Sequence, residues 1–344
     1  MKHSLLIRFS LPCLVFIFHG NVQANTTLYQ QLDAATTKNH AKQQKTKTTK
    51  NKRKNKRKNK KITQRLPPKP SPFPVAGKLK ILLQYSMSET TGNQLYVDGF
   101  SLLPIFVAGN IESQDIVRTG HTLSLFVSRS LAANSQISLS IPYRQESEEL
   151  TNDEGQTTTQ TRKSVRGLGD IRLTYSKQLF KHNHRLPNLV GDATWKTTTG
   201  KDSYENTEKL GLGSGFNSLR TGIRAMKQDD PAFLYAGVGY TWNFKDKKST
   251  IGSIKPGNAY DLSFGASYSL TDSFSMNFGL EQGWAMKTTI NGVNVVNSDK
   301  HTAALAIGGN LKVSAKRFIS IRTKIGLNEA TPGFQLQIGM PLKI

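Results

Sequence analysis

The sequence closes on Phe334-Gln335-Leu336-Gln337-Ile338-Gly339-Met340-Pro341-Leu342-Lys343-Ile344, in which every second residue is apolar. A period of two places the apolar side chains on one face of an extended strand and the polar or small ones on the other. A helix, with about 3.6 residues per turn, would mix the two sets. We therefore predict a β-strand with one wholly apolar face.

The same alternation recurs upstream. Together with three less regular runs it predicts twelve strands, an even number that returns both ends of a single-chain barrel to one side. Several exceed the 5 to 6 residues usual in soluble sheets and suit a tilted membrane crossing. The predicted strands are 78–88, 123–131, 137–144, 171–179, 189–199, 212–226, 234–244, 259–270, 274–284, 302–313, 318–327 and 334–344.

The connections between these strands alternate in length, as in outer-membrane barrels, where short periplasmic turns alternate with longer outer loops. Short links follow the even-numbered strands, at 132–134, 182–187, 228–230, 271–272 and 315–316. The other links are predicted outer loops, all but the last long and polar, at 89–118, 145–166, 200–209, 245–256, 288–298 and 329–332.

A soluble antiparallel sandwich or a lipocalin-like barrel is the alternative, because its strands also alternate. Aromatic residues favour the membrane: Tyr240, Trp242, Phe244 and Trp284 lie near strand ends, as an interfacial girdle requires. We predict an all-β fold, a transmembrane antiparallel up-and-down β-barrel of about twelve strands over residues 77–344, in the outer membrane of a Gram-negative bacterium.

Residues 1–24 have the form of a signal peptide. Lys2 and Arg8 precede an apolar run that ends before a Val22-Gln23-Ala24 cleavage site. The run is far shorter than the roughly 20 residues that a spanning helix needs. Cys13, the single cysteine, lies inside it, so the mature chain is predicted to have no disulfide, thiol nucleophile or cysteine-bound zinc.

Residues 25–76 form a predicted disordered, periplasmic tail. Fourteen lysines or arginines and no acidic residue lie between 38 and 65, more than half of the net charge of +24, and such a stretch cannot bury a core. Proline-rich residues 66–74 follow as a stiff linker. Because a signal peptide argues against nucleic acid as partner, the alternatives are simple solvation or an anionic envelope partner, such as lipid headgroups.

Placing the apolar face towards lipid assigns the opposite side chains to the lumen. Eight cationic and four acidic residues then point inward. They either pair across the lumen and brace the wall, or bias a water-filled path towards anionic cargo. The predicted lumen-lining residues are Arg144, Arg172, Lys196, Arg220, Arg224, Lys312, Arg322, Lys324, Asp170, Asp192, Asp261 and Glu281.

Catalytic and cofactor motifs are not apparent in the sequence. The seven histidines lack metal-ligand spacing. The glycine-rich runs 211–215 and 167–170 are not followed by a strand-to-helix unit, so neither is predicted to hold phosphate. No Ser/His/Asp set is visible. We predict no enzyme activity, no cofactor and no metal.

Several short motifs resemble those of a family of outer-membrane barrels: the Fap-type functional-amyloid secretion channels and the related phenol meta-pathway barrels. The similarity covers roughly residues 78–344. It is carried by Gly167-Leu168-Gly169-Asp170-Ile171-Arg172-Leu173, Trp195-Lys196-Thr197-Thr198-Thr199-Gly200-Lys201, Leu212-Gly213-Ser214-Gly215-Phe216, Lys227-Gln228-Asp229-Asp230-Pro231-Ala232-Phe233-Leu234 and Gly237-Val238-Gly239-Tyr240-Thr241-Trp242-Asn243-Phe244.

The resemblance to the Fap channel implies a twelve-stranded pore, with a homotrimer as one assembly, that exports unfolded amyloid-type polypeptide from the periplasm. This chain departs from that channel in one respect, since residues 25–74 are lysine-rich and lack sustained heptads. The phenol meta-pathway relatives imply the alternative, a passive uptake pore for small aromatic or hydrophobic compounds. A structural barrel whose tail tethers the envelope is a third hypothesis.

Overall fold

The computed structural model describes residues 77–91, 94–97, 100–104, 114–153, 158–181, 187–204, 210–229, 231–249, 251–314, 317–328, 330–331 and 333–342. The predicted signal peptide (1–24) and all of the predicted tail and linker (25–76) lie outside the described residues. Within those ranges, no helix has the length and apolarity needed to cross a membrane.

Every regular element of the described residues is a β-strand. In chain order they are β1 (Leu79–Thr91), β2 (Gln94–Val97), β3 (Phe100–Pro104), β4 (Gln114–Ala132), β5 (Ser135–Asp153), β6 (Thr158–Leu168), β7 (Arg172–Phe180), β8 (Asn188–Lys196), β9 (Ser218–Asp229), β10 (Ala232–Asn243), β11 (Asp246–Lys248), β12 (Gly252–Lys255), β13 (Ala259–Ser269), β14 (Phe274–Ala285), β15 (Thr289–Ile290), β16 (Val293–Asn294), β17 (Lys300–Ser314), β18 (Arg317–Gly326) and β19 (Phe334–Leu342).

Twelve of these strands close into one antiparallel barrel. Around the wall the order is β1, β4, β5, β7, β8, β9, β10, β13, β14, β17, β18 and β19, and β19 pairs back with β1. The closure is explicit at Leu82, which is opposite Phe126 of β4 on one side and Pro341 of β19 on the other. A closed wall leaves no strand edge unpaired in lipid. The predicted twelve-stranded up-and-down barrel is confirmed.

The two faces of the wall have inverted polarity compared with a soluble protein. On β7 the buried side chains are Arg172, Thr174, Ser176 and Gln178, and the exposed ones between them include Leu173, Tyr175 and Leu179. Exposed apolar rows of this kind surround the barrel and require hydrocarbon as their solvent. The interior is therefore the polar side of the wall.

Aromatic residues gather at the end of the barrel that carries the long connections. Short turns and both ends of the barrel chain lie at the opposite end, which identifies the aromatic end as the outer one. Ring pairs join neighbouring strands there, at centroid distances of 4.8 Å (Tyr240 and Tyr260) and 5.2 Å (Trp284 and His301). Trp195 of β8 and Phe244, which directly follows β10, meet across β9 at 5.3 Å. The predicted girdle residues Tyr240, Trp242, Phe244 and Trp284 all belong to this belt.

Two predicted outer loops are wrong in part. Residues 145–153 and 158–166, taken from the predicted loop 145–166, extend β5 and form β6, and Glu149 is paired with Arg162. The predicted loop 89–118 is strand at both ends, in β1 and β4. Outside the membrane, strands can pair through their backbones without an apolar face. The prediction interpreted polar sequence as loop and therefore ended these strands too early. β4, β5 and β6 project beyond the outer rim.

Other corrections concern the segments near the outer rim. The predicted strand 212–226 begins only at Ser218, because residues 212–216 form a fully buried irregular segment. The predicted loops 245–256 and 288–298 contain strands β11, β12, β15 and β16, which form a separate four-stranded sheet. We call this sheet, together with the described residues of loop 197–217, the outer cap.

Candidate functional site

An ion-paired belt lines the interior of the wall in its outer half. Arg220 of β9 donates from Nη1 to Asp192 Oδ2 of β8 at 2.8 Å, from Nε to Asp261 Oδ1 at 2.9 Å and from Nη2 to Asp261 Oδ2 at 2.6 Å. Asp261 is on β13, so the guanidinium spans β10. Two-point pairing of this kind fixes the position of the guanidinium as well as its charge.

The remaining members of the belt share two carboxylates. Arg224 lies 3.7 Å from Asp192, and Glu281 of β14 pairs with Arg322 and, at 2.8 Å, with Lys324, both of β18. Four cations and three carboxylates are thus joined in two clusters. We call them the charged belt. Their mutual pairing offsets much of the cost of removing each charge from bulk water.

Glycines in the wall make room for the long side chains of the belt. A Cβ at Gly239 would lie 2.2 Å from Arg220 Nη2, and a Cβ at Gly279 would lie 2.5 Å from the Tyr235 hydroxyl. Neither distance is compatible with a methyl group. The Gly-x-Gly pattern 237–239 within a strand was the sequence signal for a close approach.

Below the belt, towards the periplasmic end, the interior carries one apolar patch. Val190, Met226 and Phe233 form a buried cluster on β8, β9 and β10, and Tyr235 packs against it. Sequence reasoning missed these residues because it assigned apolar side chains to the lipid face. Strand alternation could have identified them. Val190 is two residues from Asp192, and Met226 is two residues from Arg224, so each lies on the same inward face as its charged neighbour.

Asp170 organises the outer end of the interior. It lies between β6 and β7, fully buried, and accepts hydrogen bonds from the backbone N–H groups of Gly200 at 3.0 Å and Ser214 at 2.8 Å, and from Ser214 Oγ at 3.0 Å. Lys196 Nζ is 3.4 Å from the same carboxylate and also contacts Ser214 Oγ. The described residues of loop 197–217 are thereby folded into the mouth of the barrel.

Arg144 of β5, the strand next to β7, also supports this loop. Its Nη1 donates to the backbone carbonyl of Leu212 at 3.1 Å, and its Nη2 pairs with Glu146 at 2.8 Å. Leu212 has no exposed surface. The inward-folded loop is therefore held by two inward-facing ion pairs, Asp170 with Lys196 and Arg144 with Glu146.

Within the outer cap, the four-stranded sheet packs on this loop through an apolar contact. Tyr204 and Phe216 of the loop pack against Ile254 of β12, flanked by Ile251 and Ile290. Burial, and to a lesser extent the charge of Asp202, raise the pKa of the Tyr204 hydroxyl. The four-stranded sheet and the loop therefore move, if at all, as one packed unit.

Lys248 of β11 fastens the two parts of the cap. Its Nζ donates to Asp202 Oδ2 at 2.7 Å and to the Gly215 carbonyl at 2.8 Å, and it lies 5.0 Å from the centroid of the Phe216 ring. Asp246 lies 3.0 Å from the same ammonium group. We call these contacts the Lys248 latch.

The other predicted lumen residues have separate positions. Arg172 is buried on the inner face of β7, and Lys312 is half-buried near the periplasmic end of β17, with no ion pair found among the described residues. Sequence reasoning missed one inward pair, Arg118 with Glu148, because both residues were assigned to loops. No group of three or more histidine, cysteine or acidic residues able to hold a metal occurs in the described ranges.

The closed twelve-stranded wall, apolar and aromatic outside and polar inside, defines an outer-membrane β-barrel of a Gram-negative bacterium. Residues 126–344 match the model of the family described as "Putative MetA-pathway of phenol degradation", and the chain belongs to that family. The resemblance to phenol meta-pathway barrels is confirmed.

Among solved structures, one shows the same fold and two are less similar. An outer-membrane channel from Pseudomonas putida F1 is 16% identical, with a TM-score of 0.59 over 80% of this chain and 98% of that one. The translocator domain of autotransporter NalP from Neisseria meningitidis is 11% identical, with a TM-score of 0.44 over 78% and 89%. The Pseudomonas putida toluene transporter TodX is 10% identical, with a TM-score of 0.38 over 77% and 88%. These comparisons do not support amyloid export, the homotrimer or a partner for the basic tail.

Proposed function

We propose that this protein is a passive outer-membrane uptake channel for small, uncharged aromatic or hydrophobic compounds. The description of its family points to phenol degradation, and a channel of the same fold is known. Both favour the uptake alternative over export of an unfolded polypeptide.

The interior apolar cluster carries the proposal. Val190 and Met226, each only 2% exposed, pack with Phe233, and the partly buried Tyr235 lies against them, inside a wall that is otherwise polar. Where the interior opens at this cluster, an uncharged solute has a lower free energy against these apolar side chains than in bulk water. An aqueous pore for ions has no need of such a surface.

The pairing of the charged belt supports the same conclusion. Four cations face three carboxylates in contact with them, so little net field remains to attract an anionic cargo. The inward-folded loop also fills the outer end of the interior, with Leu212, Ser214 and Phe216 fully buried. An extended polypeptide would have to displace it.

Entry of a hydrophobic fluorescent probe into whole cells tests this function. N-phenylnaphthylamine is uncharged and aromatic, is retarded by the intact outer membrane, and brightens on reaching phospholipid. Cells producing the channel should take it up several times faster than cells with an empty vector. Met226→Gln, a polar residue of similar size, should remove most of that gain.

The matched control is Ile223→Gln on the lipid face of the same strand, where the side chain is exposed. It should leave uptake unchanged once surface amounts are equalised. Uptake of a hydrophilic cephalosporin, followed by its periplasmic hydrolysis, should be the same in wild type and Met226→Gln. Equal probe entry with and without the channel would refute the proposal.

A further inference from the structure

A group of lysines stands directly above the aromatic belt on the β10 to β14 side of the barrel. Four exposed lysines lie in the connections that leave these strands. Trp242 and Trp284 are exposed three residues before the first and the last of them. The four are Lys245, Lys247, Lys255 and Lys287, and we call them the lysine rim.

Register places two of the four on one face of the small sheet. Lys247 of β11 is opposite Ser253 of β12. Lys255 lies two residues beyond Ser253 on β12, so it shares that face of the sheet, and it is opposite Thr289 of β15. The other face carries Ile254, which is buried in the cap. Lys247 and Lys255 therefore point away from the barrel mouth, towards the surroundings of the protein.

The acidic residue nearest in sequence does not neutralise the rim. Asp246 pairs with the buried Lys248, whose own charge is already shared with Asp202. The described residues of the rim show no ion pair with any carboxylate. Four positive charges thus remain available to an external partner.

The height of the rim fits the headgroup layer. Tryptophan and tyrosine belts mark the boundary of the hydrocarbon, and three extended residues rise about 10 Å above it. The polar layer on each side of a bilayer is about 5 to 8 Å thick, and lysine side chains can reach down into it. In this membrane the outer leaflet consists of a phosphorylated glycolipid.

We propose that the lysine rim binds the phosphate groups of lipopolysaccharide in the outer leaflet. The lysines take the place of the divalent cations that otherwise bridge neighbouring phosphates. They thereby bind the β10 to β14 side of the barrel to the lipid headgroups. The interaction is mainly between charges, so it weakens with salt.

The test measures lipopolysaccharide bound to the purified full-length protein in detergent. The fourfold variant K245Q/K247Q/K255Q/K287Q should bind it about tenfold or more weakly than wild type. A control variant neutralises four exposed cations at the periplasmic end, as R129Q/K177Q/K181Q/R317Q, and should bind normally. Retained heat-modifiable migration in gels verifies that each variant is folded.

Two further measurements use the wild-type protein alone. Enzymatically dephosphorylated lipopolysaccharide should bind about as weakly as the rim variant does, and raising the salt from about 0.05 to about 0.5 M should release the intact lipid. The proposal is overturned if dephosphorylated lipid binds as tightly as intact lipid. It is equally overturned if the periplasmic variant loses as much binding as the rim variant.

Discussion

Arg220 and Asp261 face each other inside the barrel in a two-point ion pair, with Nε to Oδ1 and Nη2 to Oδ2 distances of 2.9 and 2.6 Å. The residues are 41 positions apart and sit on β9 and β13, with β10 between them. The guanidinium crosses β10 over Gly239, where any larger residue would obstruct it. The ion pair therefore depends on the absence of a side chain at Gly239 in the wall between its two partners.

Removing one carboxylate should make the channel more selective for anions. Asp261→Asn leaves Arg220 with Asp192 alone and raises the excess positive charge of the belt from one to two. We expect the chloride to potassium permeability ratio to rise about twofold, measured as the zero-current potential across a planar bilayer with a salt gradient. Glu149→Gln, an exposed site on the projecting part of β5, should have no effect; an equal shift there would contradict a role for the belt.

Asp170→Asn should release the inward-folded loop. The amide keeps the shape of the side chain but leaves Lys196 as a buried cation without its carboxylate. We expect a loss of about 3 to 5 kcal/mol in the free energy of unfolding, measured by urea denaturation in detergent, and faster tryptic cleavage after Lys201. Asp272→Asn in an exposed periplasmic turn is the control. Unchanged stability and cleavage would show that Asp170 does not hold the loop.

Gly279→Ala should destabilise the barrel because the new methyl group clashes with one side chain, that of Tyr235. The added Cβ would be 2.5 Å from the Tyr235 hydroxyl and 3.3 Å from the nearest other atom, the carbonyl oxygen of Phe264. We expect a cost of about 1 to 3 kcal/mol, and a smaller cost in a Tyr235→Phe background. The measurement is a double-mutant cycle of unfolding free energies. Additive costs would rule out this contact as the cause.

The Lys248 latch should be most stable at intermediate pH. Burial tends to lower the pKa of Lys248, but hydrogen bonds and charge from Asp202 and Asp246 outweigh it, so the pKa lies above its usual 10.5. Lys248 in turn lowers the pKa of Asp246 below its usual 3.8. The latch is thus complete between these usual values. It weakens as the pH rises through the pKa of Lys248 or falls through that of Asp246.

Single-channel recording checks this pH dependence. Acidification from neutral pH to about 3 should raise the frequency of opening in the wild type, as Asp246 becomes protonated. Lys248→Met should open frequently at neutral pH and respond little to acid. Lys247→Met removes the exposed neighbouring charge and should behave like the wild type. A flat profile in the wild type would exclude the latch as a gate.

The strand pattern of the barrel was predictable because lipid imposes it residue by residue. Each strand crossing the membrane needs an apolar side chain at every second position, and β19 displays this without interruption. The strand and lumen predictions failed at positions that do not contact lipid, where no apolar side chain is required. Glu149 and Arg162 pair in strands above the membrane, and Val190 and Met226 are apolar but face inward, because neither site touches lipid.

The ion pairs of the candidate site were not predictable from the sequence. Strand phase predicts which side chains share a face of the wall, but it does not give the partners of Arg220 and Arg144. The backbone carbonyl of Leu212 lies 68 residues beyond Arg144. Nothing local in the sequence marks that contact, since it depends on loop 197–217 folding back into the mouth.

By itself, the sequence determined a twelve-stranded wall, its lipid-facing side and the polar character of its interior. These properties follow from local alternation, which every strand satisfies independently of the others. Only the tertiary structure decided which inward charges neutralise each other, where the interior becomes apolar and how the outer end is capped. Those outcomes depend on the relative stagger of strands around a closed barrel and on contacts between distant loops, and a one-dimensional pattern specifies neither.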